Sequence, residues 1–341
     1  MKLSRVKQIS VLVCTKDRPE KFGRCLKSIV ESLQARFEDQ ELTEIVVVDQ
    51  SKDDQTRRNT EKYQNIKYIK MKSVGISRAR NLGIKNTEAE IIAFTDDDCV
   101  VDPNWITTIM DSFEDYSEID ALFGRSLAFQ YPDRKVTHIT TAHELGYSYR
   151  AEDDRGRRCY ALITREEKAL YDKPCYPASW LGSSNNMACR RSAIERMGLF
   201  SEYFGAGSPG ISAEDPELAY RFLRLGGKIL YSPNTLVYHD AWHDLEQAET
   251  VINRYIAGHA TLWAFYALQG DREAIKHYRY FARIVWKSSL NYVSYLRSKN
   301  FWTASLMTIA RSFQFLRGTI TGLFYYLLIR NRYYDLLESS E

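Results

Sequence analysis

The first part of the chain alternates short β-branched runs with helical patterns, and this restricts the fold more than any other feature. Ile9–Cys14, Glu44–Asp49 and Ile91–Thr95 have the composition of buried strands. Pro19 opens a helical pattern between the first two of them. Strands that alternate with helices in this way predict an α/β fold built on a doubly wound, mostly parallel sheet.

Polar and acidic residues follow these predicted strands directly. Thr15 and Asp17 come after the first strand, Asp49 ends the second, and Asp96–Asp98 follow the third run. In a doubly wound sheet, ligands bind beyond the carboxyl ends of the strands, where these residues would meet. Adjacent carboxylates repel one another, and a divalent cation bound with substrate phosphates relieves that repulsion. A solvated acidic turn is the alternative interpretation of the triple aspartate.

A second group of ionisable residues lies further along the chain. Glu214 and Asp215 open a helical pattern, and His239 ends a predicted strand two elements later. Carboxylates and an imidazole in one cleft could supply a metal ligand and a general base. The alternatives are a helix cap at Asp215, a first-turn acid at Glu214 and a structural histidine. Arg78 and Arg80 either face a diphosphate or are solvated helix charges.

The C-terminal part differs from the rest in charge. From about Leu245 onward the pattern is helical, and the stretch from Ala274 to Tyr334 contains ten basic residues and no acidic one. An apolar stripe between Trp302 and Leu327 steps by four and three residues, which is typical of an amphipathic helix. No run reaches the roughly 20 apolar residues that a membrane-spanning helix needs.

Two interpretations of this basic region are open. Cationic and aromatic residues interleaved over residues 270–335 suit the surface of an anionic membrane, and we favour this interpretation. The alternative is a helical subdomain that packs on the rest of the chain. Nucleic acid is not an expected partner, because no nucleic-acid-binding motif occurs. The six cysteines form no CxxC pair and the N-terminus has no signal-peptide pattern, so we expect a cytoplasmic protein, peripheral on the cytoplasmic face of the membrane.

Six segments of the chain carry a further signal through their order and spacing. The segments are VLVCTKDRPEKFGRCLKSI, EIVVVDQSKDD, VGISRARNLGI, IIAFTDDDCVVDPNW, SSNNMACRRSAIERMGLF and AEDPELAYRFLRLGGKILYSPNTLVYH. They cover roughly residues 8 to 240, and together they resemble the family-two glycosyltransferases of the GT-A fold. The resemblance implies a Rossmann-like catalytic domain over residues 1–244, with an insertion at about 130–178, followed by a basic helical region over residues 245–341.

The resemblance also implies roles for individual residues. Asp215 would act as the general base, with Glu214 beside it. Residues expected to contact the donor nucleotide are Thr15, Asp17, Asp49, Arg78, Arg80, Asp96 and Asp97. Residues expected to bind a metal ion, Mn²⁺ or Mg²⁺, are Asp96, Asp98 and His239.

The function implied by the resemblance is metal-dependent, inverting transfer of a sugar from a nucleotide-diphosphate sugar. A UDP-sugar is the expected donor, and the expected acceptor is a hydroxyl of a glycan or lipid-linked molecule in polysaccharide or glycoconjugate synthesis. One alternative is a retaining glycosyltransferase of the same fold. Another is an inactive sugar-nucleotide-binding or scaffold module at the membrane. A sugar nucleotidyltransferase is disfavoured, because only Gly23 stands where a glycine-rich phosphate loop would be needed.

Overall fold

The computed structural model describes residues 8–38, 43–131, 139–140, 161–164, 182–296 and 301–338. Most of the insertion predicted at about 130–178 lies outside these residues. The described strands are β1 (Ile9–Thr15), β2 (Thr43–Asp49), β3 (Ile66–Lys70), β4 (Ile91–Asp96), β5 (Cys99–Val101), β6 (Ala121–Ala128), β7 (Ile139–Thr140), β8 (Ala161–Ile163), β9 (Met187–Arg190), β10 (Ile229–His239) and β11 (Trp242–His243). The described helices are α1 (Pro19–Arg36), α2 (Gln55–Thr60), α3 (Ile76–Ile84), α4 (Trp105–Asp115), α5 (Arg191–Arg196), α6 (Glu214–Arg224), α7 (Leu245–Leu268), α8 (Arg272–Leu296) and α9 (Phe301–Glu338).

One large sheet organises these elements, in the order β3-β2-β1-β4-β9-β6-β10-β5, with β8 paired to β10. The strands β3, β2, β1 and β4 are all parallel, as the alternating pattern predicts. The other half is mixed, because β9 runs antiparallel between β4 and β6. An antiparallel β9 begins at the sheet edge where β4 ends. The short 3₁₀ turn Ser184–Asn186 that precedes β9 therefore lies beside the acidic end of β4.

Apolar side chains bury both faces of the sheet. On one face, Phe22 and Leu26 of α1 pack with Trp105 of α4 in a single buried cluster. On the other face, a second buried cluster runs from α6 into the C-terminal helices and includes Trp263 and Tyr325. The α/β fold and the C-terminal helical region are both as predicted. Because the second cluster is continuous, the C-terminal helices share a core with the sheet.

Two glycines let α9 approach α7 closely. A Cβ atom added at Gly322 would lie 2.6 Å from the carbonyl oxygen of Thr261 and 2.8 Å from Ala264 Cβ. A Cβ atom added at Gly318 would lie even closer to the carbonyl oxygen of Ala257. Only glycine fits at such a separation, so this face of α9 is the one that packs on the rest of the protein.

From Ile309 to Leu327 the predicted apolar stripe lies on the other side of α9 and faces solvent, and Phe324 and Leu328 extend it. Side chains of this exposed stripe retain between 44% and 64% of their accessible surface, and they are Ile309, Phe313, Leu316, Ile320, Leu323, Phe324, Leu327 and Leu328. The helix is therefore held by its glycine face rather than by the stripe. Among the described residues, no helix is long and apolar enough to cross a membrane. One predicted basic residue, Arg311, is buried and pairs with Glu249 at 3.0 Å.

Candidate active site

The turn between β4 and β5 brings two predicted metal ligands together. Asp96 ends β4, and Cys99 begins β5 directly opposite His239 of β10. The Nε2 atom of His239 lies 3.1 Å from Asp98 Oδ1. The ligand atoms of Asp98, Cys99 and His239 all lie within 4.8 Å of one another. Strand pairing therefore positions a carboxylate and an imidazole where they can share one cation.

Without a metal ion, electrostatics favour the charged forms of this pair, and a cation bound there would take the place of the imidazole proton. Burial by itself would raise the pKa of Asp98, but attraction to His239 and Arg18 outweighs it and lowers that pKa. Burial would lower the pKa of His239, yet Asp98 outweighs it and raises that pKa. Burial raises the pKa of the Cys99 thiol well above its usual range, so the thiol stays protonated at neutral pH and is a poor ligand. Oxygen and nitrogen donors remain, and these suit Mn²⁺ or Mg²⁺.

Asp97, between the two predicted ligands, is turned inward. One of its oxygens accepts hydrogen bonds from the Thr15 hydroxyl at 2.8 Å and the Lys16 amide at 3.4 Å. Its other oxygen lies 3.2 Å from Arg18 Nη1. Burial and the neighbouring Asp98 raise the pKa of Asp97 to about 6. Asp97 and Thr15 thus anchor the loop after β1 to the acidic turn.

Arg80 links the acidic turn to the second predicted cluster. Its guanidinium lies 3.1 Å from Asp96 and 3.3 Å from each of Glu214 and Asp215. It also stacks over the ring of Phe200, with 5.2 Å between the guanidinium carbon and the ring centroid. A single buried cation therefore compensates three carboxylates that come from two distant parts of the sequence.

Asp215 is held at the start of α6 by further contacts. Its Oδ1 accepts a hydrogen bond from the Ser184 hydroxyl. Burial raises the pKa of Asp215, and burial together with Asp215 raises the pKa of Glu214 to about 7. The preceding residues Ile211 and Ala213 have φ angles of +68° and +73°. Such strain, on the order of 1–3 kcal/mol per residue, clusters where a structure fixes functional groups.

Two cavities meet at these residues. The first cavity has a volume of about 430 Å³ and is lined by the ends of β1 and β4 together with the loops around Gly75 and Gly207. The second cavity has a volume of about 280 Å³ and contains Asp215, with Tyr255 and His259 of α7 in its wall. Both cavities are lined by Arg80, Asp96, Ala206, Glu214 and His239. A molecule in one cavity would therefore touch a molecule in the other.

Glycine is required where two loops form a wall of the first cavity. Gly75 has a φ of +145° and Gly207 a φ of +85°. A Cβ atom added at Gly207 would lie 3.0 Å from Gly75 Cα. The Ile76 amide donates to the Ala206 carbonyl at 3.0 Å and joins the loops. The two backbones thus form a narrow, firmly held edge.

Asp49 is fully buried, which is not expected of a residue that contacts a nucleotide base. Its oxygens accept from the Ser51 amide at 2.7 Å, the Tyr68 hydroxyl at 2.7 Å and Lys70 Nζ at 3.1 Å. Burial opposes ionisation, but these hydrogen bonds outweigh it and lower the pKa of Asp49. The neighbouring Gln50, rather than Asp49, lines the first cavity. The base contact of Asp49 stays a prediction.

Asp17 and Arg78 also lie outside the lining of both cavities. The Asp17 amide donates to Ser51 Oγ at 2.7 Å, and its carboxylate accepts from the Lys52 amide at 3.1 Å. These bonds tie the loop after β1 to the loop after β2. Arg78 is half-exposed and pairs with Glu202 at 3.3 Å. Their nucleotide contacts likewise stay predictions.

Three residues of the site were missed from the sequence. Ser184 contacts Asp215, but it lies in a segment whose pattern predicts a strand and whose first part is a 3₁₀ turn. Arg18 pairs with Asp98 at 2.8 Å. Gln50 accepts from the Gly75 amide at 2.9 Å and borders the first cavity. Gln50 could have been identified from the sequence by its position directly after a strand. No sequence signal would have identified Ser184.

A sheet of this order, with an acidic turn and a second carboxylate pair at its carboxyl edge, defines an α/β fold with a candidate ligand site beyond the ends of its parallel strands. The family model for glycosyl transferase family 2 matches residues 10–197. That match covers more than half of the chain, and the chain belongs to glycosyl transferase family 2.

Curated relatives are similar over part of the chain. Pre-mycofactocin glycosyltransferase of Mycobacterium tuberculosis is 25% identical over 170 residues, covering 49% of this chain and 30% of the relative. Glucosyl-dolichyl phosphate glucuronosyltransferase of Haloferax volcanii is 26% identical over 123 residues, covering 34% of this chain and 37% of the relative. The chain thus spans about a third of the length of these relatives.

Solved structures share the fold over nearly the whole chain. The mannosyltransferase PcManGT from Pyrobaculum calidifontis, in complex with GDP-Man and Mn²⁺, has a TM-score of 0.56 at 15% identity, covering 93% of this chain and 87% of that one. The S. aureus TarS 1-349 structure with UDP-GlcNAc has a TM-score of 0.54 at 17% identity, covering 92% and 81%. These similarities confirm the predicted GT-A type of fold.

Proposed function

We propose that this protein is a metal-dependent, inverting glycosyltransferase. It would move a sugar from a nucleotide-diphosphate sugar, with a UDP-sugar as the first choice, to a hydroxyl of a glycan or lipid-linked acceptor. One observation carries the proposal: the cavity beside Asp98 and His239 meets the cavity that contains Asp215, and Asp96 and Glu214 line both. A donor in the first cavity and an acceptor in the second would place their reacting atoms together.

The metal ion would be held by Asp98 and His239, with Asp96 at the edge of the same site. The contact of 3.1 Å between Asp98 and His239, and the oxygen and nitrogen donors they offer, support Mn²⁺ or Mg²⁺. The Mn²⁺ complex of the similarly folded mannosyltransferase agrees with this choice. Bound there, the cation offsets negative charge that develops on the departing nucleotide diphosphate.

The transfer step would begin at Asp215. Its carboxylate takes the proton of the acceptor hydroxyl while that oxygen forms a bond to the anomeric carbon. The bond from the anomeric carbon to the diphosphate oxygen breaks at the same time, which inverts the configuration. Ser184 and Arg80 hold the carboxylate in place. A raised pKa makes Asp215 a stronger base than a solvated aspartate, as general-base catalysis requires.

The donor would occupy the first cavity. A volume of about 430 Å³ is within the range of pockets that bind small molecules. Thr15, Gln50 and the loop edge around Gly75 would border the nucleotide, and Arg80 would lie near the diphosphate. The bound UDP-GlcNAc of the similarly folded TarS structure favours UDP, and the GDP-Man of the mannosyltransferase makes GDP the main competitor.

The C-terminal helices would serve the acceptor side. We divide the chain into a catalytic domain over residues 1–244 and a helical region over residues 245–341, whose α7 completes the wall of the second cavity. Contact of residues 270–335 with an anionic membrane would bring a lipid-linked acceptor to that cavity. The dolichyl phosphate in the name of the Haloferax volcanii relative is consistent with such an acceptor.

The test combines nucleotide binding with transfer. Thermal unfolding is followed with UDP, GDP and dTDP, each with and without Mn²⁺, and we expect one nucleotide to raise the midpoint only when metal is present. Asp215→Asn should keep that shift and lose transfer by about 10²-fold or more. Asp111→Asn, at a half-exposed position on α4, is the matched control and should behave like wild type.

Other outcomes would point to the competing functions. Normal transfer by Asp215→Asn would refute the base assignment. A product that keeps the anomeric configuration of the donor, read by NMR, would indicate a retaining enzyme. Nucleotide binding without turnover for any acceptor would indicate an inactive binding module.

A further inference from the structure

The exposed stripe of α9 is narrow, continuous and unusually apolar for a solvent-facing surface. With 3.6 residues per turn, all of its side chains except Leu328 fall within an arc of about 100°. Between Ile309 and Leu328 the stripe is about 28 Å long at 1.5 Å per residue. Monomeric soluble proteins rarely expose apolar patches of this extent, and such patches mark interaction surfaces.

The packing of α9 does not use this surface. Gly318, Gly322, Tyr325 and Ile329 are buried on the opposite side of the helix. Tyr325 makes an edge-to-face contact with Tyr203, with 5.0 Å between ring centroids. Over residues 309–329, where its side chains are described, the helix is thus already fixed to the protein by one face. The apolar stripe on the other face is left available for a partner.

Charge indicates the nature of that partner. Arg317 is exposed at the margin of the stripe, and α8, which contacts α9 through Tyr278 and Phe315, exposes Arg279, Arg283 and Lys287. The stretch from Ala274 to Tyr334 contains no acidic residue that could neutralise them. A second copy of this chain on the stripe would bring like charges together across a two-fold axis, which opposes pairing. A surface of anionic lipid satisfies both the apolar face and the cationic margin.

We propose that α9 lies in the plane of a membrane interface, with its exposed stripe among the lipid acyl chains and Arg317 at the level of anionic headgroups. This inference deepens the membrane contact of the proposed function and rests on that function only for the delivery of acceptor. One face of the helix enters the membrane, so binding does not depend on adhesion of basic residues alone. The rest of the protein would then stand on the bilayer through α7 and α9.

The test uses the full chain and lipid vesicles in a flotation assay. Vesicles contain phosphatidylcholine with about one third phosphatidylglycerol, or phosphatidylcholine alone. We expect the wild type to float with the anionic vesicles. Phe313→Glu combined with Ile320→Glu should lower the partition coefficient by at least about tenfold, because two charges would enter the apolar layer. Leu268→Glu, at an exposed leucine outside the stripe, should float like wild type.

A second measurement reports insertion directly. Because the chain already has six tryptophans, emission is read as the difference between variant and wild type. The added emission of Phe313→Trp should shift to shorter wavelength when anionic vesicles are added, and that of Leu268→Trp should not. Unchanged flotation of the double variant, or no spectral shift in Phe313→Trp, would overturn the proposal. A wild-type dimer without vesicles that dissociates in the double variant would assign the stripe to a second copy instead.

The two proposals can fail separately. Midpoints of thermal unfolding, and transfer to a water-soluble acceptor, should be the same for the double variant and the wild type. Loss of vesicle binding with intact transfer supports the docking surface independently of the acceptor. Normal vesicle binding with no transfer to any acceptor leaves the docking surface standing and contradicts the proposed function.

Discussion

Arg80 Nη1 lies 3.3 Å from Asp215 Oδ1, and the side chain of Arg80 is only 5% exposed. The attraction of this guanidinium lowers the pKa of Asp215, although burial raises that pKa overall. A base must be deprotonated to accept the acceptor's proton, so Arg80 extends activity toward lower pH. A lysine cannot reach three carboxylates with one ammonium group.

Arg80→Lys should therefore shift the acidic limb of the kcat profile to higher pH. We expect activity at pH 7 to fall by about 10- to 100-fold and to recover partly above pH 8, because a higher pKa keeps the base protonated up to a higher pH. The measurement is kcat from about pH 5.5 to 9. Arg57→Lys, at an exposed arginine of α2 that lines neither cavity, is the control. A lower kcat with the acidic limb at the same pH as in the wild type would mean that Arg80 does not act through the pKa of Asp215.

Glu214→Gln should stabilise the protein at alkaline pH. Burial and Asp215 raise the pKa of Glu214 from 4.5 to about 7 in the folded state. Folding therefore binds a proton between these values, and ionised Glu214 progressively lowers the free energy of unfolding as pH rises from 4.5 to 7. The neutral amide avoids this loss.

Urea unfolding at pH 5 and pH 8 would measure this effect. The variant should gain roughly 1–3 kcal/mol over wild type at pH 8 and little at pH 5. Glu202→Gln, at a half-exposed position, should show no such pH dependence. An equal gain at both pH values would argue against titration of Glu214 as the cause.

Cation binding should need Asp98 and His239 but not Cys99. Asp98→Asn and His239→Ala should each weaken the Mn²⁺-dependent nucleotide shift in thermal unfolding by at least about tenfold in apparent Kd. Cys99→Ser should keep it, since the thiol is protonated and a hard cation prefers oxygen ligands to sulfur. A large loss in Cys99→Ser, with normal unfolding without ligand, would instead make the thiol a ligand.

Gly322→Ala should destabilise the protein, although helices ordinarily favour alanine over glycine. At an exposed helical site this change stabilises by about 1 kcal/mol. Here the new methyl group would lie 2.6 Å from the Thr261 carbonyl oxygen, so α7 and α9 must separate. We expect a loss of about 1–3 kcal/mol in urea unfolding. Ser312→Ala, on an exposed face of α9, is the control, and a gain at Gly322 would disprove the close packing.

Local pattern was enough to predict the parallel half of the sheet, because apolar runs indicate buried strands directly. The shared metal-binding role of Asp98 and His239 was instead implied by the resemblance to the family, since no local pattern connects residues that are so far apart in the sequence. The inward turn of Asp97 could not be predicted, because three adjacent aspartates look alike until the turn orients each one. The partners of Asp49 could not either, since Tyr68 and Lys70 approach from a neighbouring strand.

The sequence pattern also could not predict that the exposed stripe faces solvent. Periodicity identifies which residues of a helix share a face, but not what that face contacts. The deciding residues were Gly318 and Gly322, which contribute nothing to an apolar count. Their lack of side chains determines which face of α9 is buried.

The position of α7 sets a length scale for the acceptor. Tyr255 and His259 face the second cavity, whereas Ala260 and Ala264 on the roughly opposite face contact α9. With α9 in the interface, only α7, about 10 Å across, would lie between α9 and the second cavity. The thickness of α7 would thus set how far an acceptor hydroxyl must extend from the lipid headgroups to reach Asp215.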